Sequence, residues 1–139
     1  MTALLAVLAL TLTSCRAPTE ITVSITTDFS CKDLKGTAFI SGAQSELSSK
    51  PPAIVTTDCD DAQHTVGTVV LVPTGGADGE VAFRIVAGVG TPVATCIDSF
   101  GPGCIEARRS LRYLPHTSLL VPVLKSTNCK GIVCGATLT

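Results

Sequence analysis

The chain has 139 residues, 45% of them apolar and 15% charged, with ten Lys and Arg against eleven Asp and Glu. That length suits one domain, the apolar content excludes a disordered chain, and near-neutrality without runs of like charge excludes an electrostatic grip on nucleic acid. Seven cysteines in so short a chain point to an oxidising, extracytoplasmic compartment.

From Thr2 to Leu12 the sequence is apolar and rich in Leu and Ala. Crossing a bilayer takes about 20 residues, so this run has the length of a signal-peptide apolar region instead. Leu12-Thr13-Ser14-Cys15 then resembles the lipobox of bacterial lipoproteins: an aliphatic residue, two small residues and a cysteine. The resemblance implies cleavage before Cys15, a thioether from its sulfur to diacylglycerol, and an amide-linked acyl chain, palmitate being the expected group. No Lys or Arg precedes the apolar run, so the expected start lies a few basic residues upstream. In that family Arg16 after the cysteine, rather than Asp, implies the outer membrane. The expected organisation is a signal peptide at 1–14, a lipidated N-terminus and short tether at 15–19, and one domain at 20–139.

"EITVSITTD" (20–28) alternates Ile21, Val23 and Ile25 against Thr22, Ser24 and Thr26, the period of a half-buried strand. Further strands are expected at 36–41, 53–57, 66–73, 80–89, 104–114 and 118–125. Lys50-Pro51-Pro52, the Gly-rich 74–79, Gly101-Pro102-Gly103 and Pro115 separate them. No stretch offers a sustained helical period. Seven short strands over roughly a hundred residues predict an all-β fold, an immunoglobulin-like antiparallel β-sandwich stabilised by disulfides. Without Trp it is not an antibody-type domain. Pro122 removes a ladder donor, which predicts an edge or a bulge in the last strand.

"PTEITVSITTD", "VLVPTGG" and "GPGCIEARRSLRYLPHTSLLVPVLKSTNCKGIVC" are similar to a group of uncharacterised bacterial lipoproteins of myxobacterial type. The similarity covers most of the chain after Cys15 and is densest over residues 101–134. It implies an envelope location and this fold, and no chemistry. Members of the group often continue past the position of Cys134 with further cysteines, which leaves the partner of Cys129 open.

Setting Cys15 aside for lipidation leaves six cysteines. Cys96 and Cys104 flank a Gly-Pro-Gly loop, Cys129 and Cys134 bracket "KGIV", and Cys31 then falls to Cys59, although six cysteines allow fifteen pairings. The metal alternative would use Cys129, Cys134 and His116, but zinc pairs are usually closer knuckles, and no metal is expected. Asp58, Asp60, Asp61 and His64 crowd one loop and Asp78 and Glu80 another, without the calcium-loop pattern, and read as solvated turns. No nucleophile motif is present, His64 and His116 are the only histidines, and no cofactor or enzymatic activity is expected. Sugar stacking would have to draw on Phe29, Phe39, Phe83, Phe100 and Tyr113, of which Phe39 and Phe83 fall within strands.

In "EARRSLRY" (106–113) a period of two places Arg109 on the apolar face with Ile105, Ala107, Leu111 and Tyr113. It sends Glu106, Arg108 and Arg112 to solvent. Arg109→Ala is therefore expected to cost more than Arg108→Ala or Arg112→Ala. The functional expectation is a structural or protein-interaction module of the cell envelope, joined to the membrane through Cys15, with an envelope protein or glycan as partner. The alternative is a ligand- or glycan-binding protein using its inter-strand loops.

Overall fold

A computed structural model describes residues 15–133. Seven strands form: β1 (Glu20–Thr27), β2 (Leu34–Gly42), β3 (Ile54–Thr56), β4 (Thr65–Leu71), β5 (Glu80–Val89), β6 (Cys104–Arg112) and β7 (Ser118–Lys125). They make a three-stranded sheet in the order β4-β1-β7 and a four-stranded sheet in the order β3-β2-β5-β6. This is the expected immunoglobulin-like sandwich, with one difference. β1 and β7 pair in parallel, from Glu20↔Ser118 to Thr27↔Lys125, because both strands leave the same end of the sandwich. β7 with its Pro122 is a sheet edge, as expected.

The core between the sheets follows from alternation. Every second residue of β1 is buried, and Ile21, Val23 and Ile25 meet Phe39, Phe83, Ile85 and Ile105 of the facing sheet. Each such side chain contributes about 1.5–3 kcal/mol of burial. Phe39 and Phe83 stack with centroids 5.5 Å apart.

β5 breaks the alternating rule, since Ala82 to Val89 are all buried. A run buried without alternation means a strand covered on both faces. The second cover is a six-residue helix that the sequence pattern did not predict, α1 (Val93–Asp98), together with the 3-10 turn Gln44–Glu46 and Leu47 after it. Val93, Cys96 and Leu47 pack on Ala38, Ile40, Ala82 and Val86, with Ile97 and Phe100 at the margin. Gly88 permits the close return of the chain into α1: a Cβ there would lie 2.0 Å from the Thr91 carbonyl oxygen.

Disulfides join Cys31 to Cys59 and Cys96 to Cys104, two of the three expected pairings. The first ties the β1–β2 turn to the β3–β4 loop, and the second fastens α1 to the start of β6. Cys129 is half-buried with no disulfide partner among the described residues. Cys134, and with it the third pairing, lies outside the described residues, as do residues 1–14.

Candidate functional site

The strand directions give the sandwich two unlike ends. The start of β1 and β7, the β4–β5 loop and the β6–β7 loop share one end; both disulfides and Cys129 share the other. Cys15 is exposed at the first. The tether after it is held down: Arg16 Nη1 lies 3.3 Å from His116 Nε2, His116 N donates to Thr19 Oγ1 at 2.8 Å, and Glu20 N donates to the Thr117 carbonyl at 3.2 Å. Ser118 Oγ adds a bond to Glu20 Oε1 at 2.8 Å. His116 takes a left-handed conformation, φ 56°, to present its N–H to Thr19.

His116 and Cys129 are divided by the whole of β7, roughly 25 Å for its eight residues, so the alternative metal set does not assemble. In the acidic loop, Asp60 Oδ1 accepts from the Ala62 and Gln63 backbones and Asp61 Oδ1 accepts from Cys31 N at 2.6 Å. The Asp60 bonds cap the local turn, in line with the sequence reading, whereas Asp61 reaches across to the β1–β2 turn beside the Cys31–Cys59 disulfide, which that reading did not include. Glu80 is engaged by Arg112 at 2.9 Å in an exposed pair. Among the described residues no three His, Cys, Asp or Glu side chains stand together as a metal site.

The reading of residues 106–113 needs correction. Arg109 is on the inner face but half-buried at the rim, where its Nη1 donates to the Arg108 carbonyl at 2.7 Å. Glu106, expected in solvent, is 5% exposed. Its Oε1 accepts from Arg84 Nε, and from Arg108 Nε and Nη2 at 3.2 and 3.1 Å. Arg108 reaches on to Ser48 Oγ at 3.2 Å. The period placed these residues on the correct face; that face is covered by α1 and the 44–47 turn instead of facing water.

Sequence reasoning also missed two polar groups. Lys125 is 0% exposed and donates to the Ile85 carbonyl at 2.8 Å, bonding β7 to β5 through the core. Asp28 accepts from Ser126 Oγ at 2.6 Å, Thr127 N at 2.7 Å and Thr127 Oγ1 at 2.8 Å, closing the chain after β7. The Ser126 hydroxyl, and next the Thr127 donors, hold its carboxyl below the usual carboxylate value. A lone Asp ahead of a Phe gave no signal of this, because its partners are about a hundred residues away.

Two concavities bear on a binding role. A groove of about 530 Å³ at the tether end runs between Gly42, Glu46 and Lys50 on one side and Leu71, Pro73 and Glu80 on the other. Its charges are paired with one another or with neighbours, Lys50 with Glu46 at 3.9 Å and Glu80 with Arg112. The single tyrosine, Tyr113, is buried at its floor, and burial raises its phenol above the ordinary value. Phe29, Phe39 and Phe83 are in the core and Phe100 packs beside α1, so the aromatics form no stacking platform. A smaller cleft of about 170 Å³ opens between β3 and β4, walled by Ile25, Phe39, Ile54, Val66 and Val69.

No helix among the described residues is long and apolar enough to cross a membrane. No protein-family model, curated relative or solved structure matches the chain.

Proposed function

We propose that this is a lipid-anchored lipoprotein of the bacterial cell envelope, a structural and protein-interaction module and not an enzyme. The observation that carries the reading is the position of Cys15: an exposed lipobox cysteine five residues before β1, at the end opposite both disulfides. Diacylglycerol plus an amide-linked acyl chain exceeds the two-chain requirement for stable membrane attachment. The bonds from Arg16, Thr19 and Glu20 to residues 116–118 would then keep the domain close to the bilayer, with its disulfide-clamped end outward. Arg16 supports the outer membrane as the destination.

The test is partition of the protein expressed in a bacterial host with lipoprotein processing. The wild-type chain is expected in the detergent phase of a detergent–water split and Cys15→Ala in the aqueous phase or unprocessed. Equal partition of the two would remove the anchor.

A further inference from the structure

The two sheets are unequal, and the inequality leaves a place. Sheet orders β4-β1-β7 and β3-β2-β5-β6 set three strands over four, and the unmatched space lies between β4 and β3. In the cleft there, Ile25, Phe39, Ile54, Val66 and Val69 make the apolar lining, and Thr37, Thr56, Asp58 and Thr68 the polar one, with Thr56 Oγ1 already accepting from Asp58 N at 3.0 Å. Thr37 Oγ1 lies in its wall, in a residue only 2% exposed, and makes no hydrogen bond among the described residues. Buried polar atoms are nearly always bonded, so a hydroxyl of this kind marks a position for a partner. At the mouth, Asp58 has its carboxylate unpaired among the described residues, whereas Asp60 caps its own turn and Asp61 accepts from Cys31 N.

The sheet edges point the same way. Proteins guard free edges with charge, proline or brevity. β6 carries Glu106, Arg108, Arg109 and Arg112, β7 carries Pro122, and β3 has three residues between Pro51-Pro52 and Asp58. β4, "TVGTVVL", has neither charge nor proline over seven residues, and only Thr65 is covered, by its bridge to Asp60. Its one guard is a bulge at Val66, where the register against β1 slips between Ile25 and Thr26; from Gly67 to Leu71 the edge that borders the cleft is open.

We infer that an extended segment of a partner protein adds to the free edge of β4 as a fourth strand of the smaller sheet. Its alternate residues are small and apolar and enter the cleft over Ile54, and one polar group meets Thr37 Oγ1. A lysine or arginine at one end meets Asp58. Backbone pairing supplies affinity and the cleft supplies selectivity, the general logic of strand addition. This rests on the interaction-module reading, whose partner it specifies, and is independent of the lipid. A second copy of the chain fits poorly, because self-pairing through β4 would drive the overhanging β3 of each copy into that of the other.

The test uses the full chain in detergent and fluorescent heptapeptides of alternating Val and Thr with one terminal Lys, in both polarities. Controls carry Glu for Lys, or group the valines together. Saturable binding of a Lys-ended alternating peptide, at least tenfold tighter than either control, is expected. Ile54→Lys, at a residue 43% exposed, should abolish it without unfolding the domain. Asp58→Lys should transfer the preference to the Glu-ended peptide. Thr37→Val should weaken binding several-fold while leaving the melting midpoint the same or higher. Equal binding of alternating and grouped peptides, no binding, or an unchanged end preference in Asp58→Lys would overturn the inference. So would concentration-dependent dimerisation that competes with peptide. Loss of the strand site would leave the interaction-module reading standing, since that reading fails separately, if cross-linking in the envelope joins no protein to any face of the domain.

Discussion

Arg84 and Glu106 form an ion pair on the outer face of the larger sheet, with side chains 8% and 2% exposed, beneath a cover supplied by another part of the chain. Glu106 is also held by Arg108, so one carboxylate offsets two guanidinium groups in a site with little water. Breaking a buried pair from one side leaves an uncompensated charge, which costs about 3–5 kcal/mol, whereas an exposed pair is worth about 0–1 kcal/mol. The order expected in denaturant melts is therefore Glu106→Ala and Arg84→Ala most harmful, Arg108→Ala next, and Arg109→Ala and Arg112→Ala least. An Arg112→Ala midpoint as low as that of Glu106→Ala would contradict the covered-face assignment.

The two disulfides are expected to contribute unequally through the unfolded chain. Their sequence separations are 28 for Cys31–Cys59 and 8 for Cys96–Cys104. The loop-entropy relation gives about 3.6 and about 2.5 kcal/mol. The paired replacement Cys31→Ser with Cys59→Ser should lose about the first amount. Cys96→Ala with Cys104→Ala should lose more than the second, because both half-cystines are also buried in the cluster between α1 and the larger sheet. Non-reducing peptide maps of the wild type should contain both linkages, and a Cys31–Cys96 peptide would overturn the pairing.

The strands were legible because alternation is local: β1 announces its buried face in eight residues, and Pro and Gly clusters mark the loops. The local disulfide was legible too, since a Gly-Pro-Gly loop between Cys96 and Cys104 closes easily. What escaped was tertiary. α1 is too short to show a helical period, so nothing local said that the outer face of β2 and β5 is covered, or that Arg108 meets Ser48 of the neighbouring turn. The non-alternating run in β5, apolar from Val81 to Val89 apart from Arg84, was the available signal of a doubly covered strand. The cleft beside Thr37 depends on which sheet each strand joins, and a one-dimensional pattern carries no information about that.

Asp28 makes the closure after β7 acid-sensitive. Its carboxyl is held below the ordinary value of 3.8 by Ser126 and Thr127, so its contribution is fully present above that value. The contribution is lost as pH falls through the lower, folded-state value. Stability measured from pH 5 downward should fall less steeply in Asp28→Asn than in wild type. Parallel curves would show that the carboxylate is not bonded as described.

Tyr113 is the only tyrosine, so its ionisation can be read alone by absorbance. Burial raises its value above 10.0, and the raised value means a contribution present below pH 10 and lost as pH climbs through the folded-state value. The folded protein should ionise later than the same chain in denaturant. Coincident titrations would place the phenol in water.

The most direct measurement of the anchored reading is the mass of the N-terminal peptide of protein recovered from bacterial membranes. The account requires a peptide beginning at Cys15 that carries diacylglycerol on sulfur and an acyl group on its amine. An N-terminal peptide with an unmodified Cys15 thiol, or a chain cut on the far side of Cys15, would contradict it.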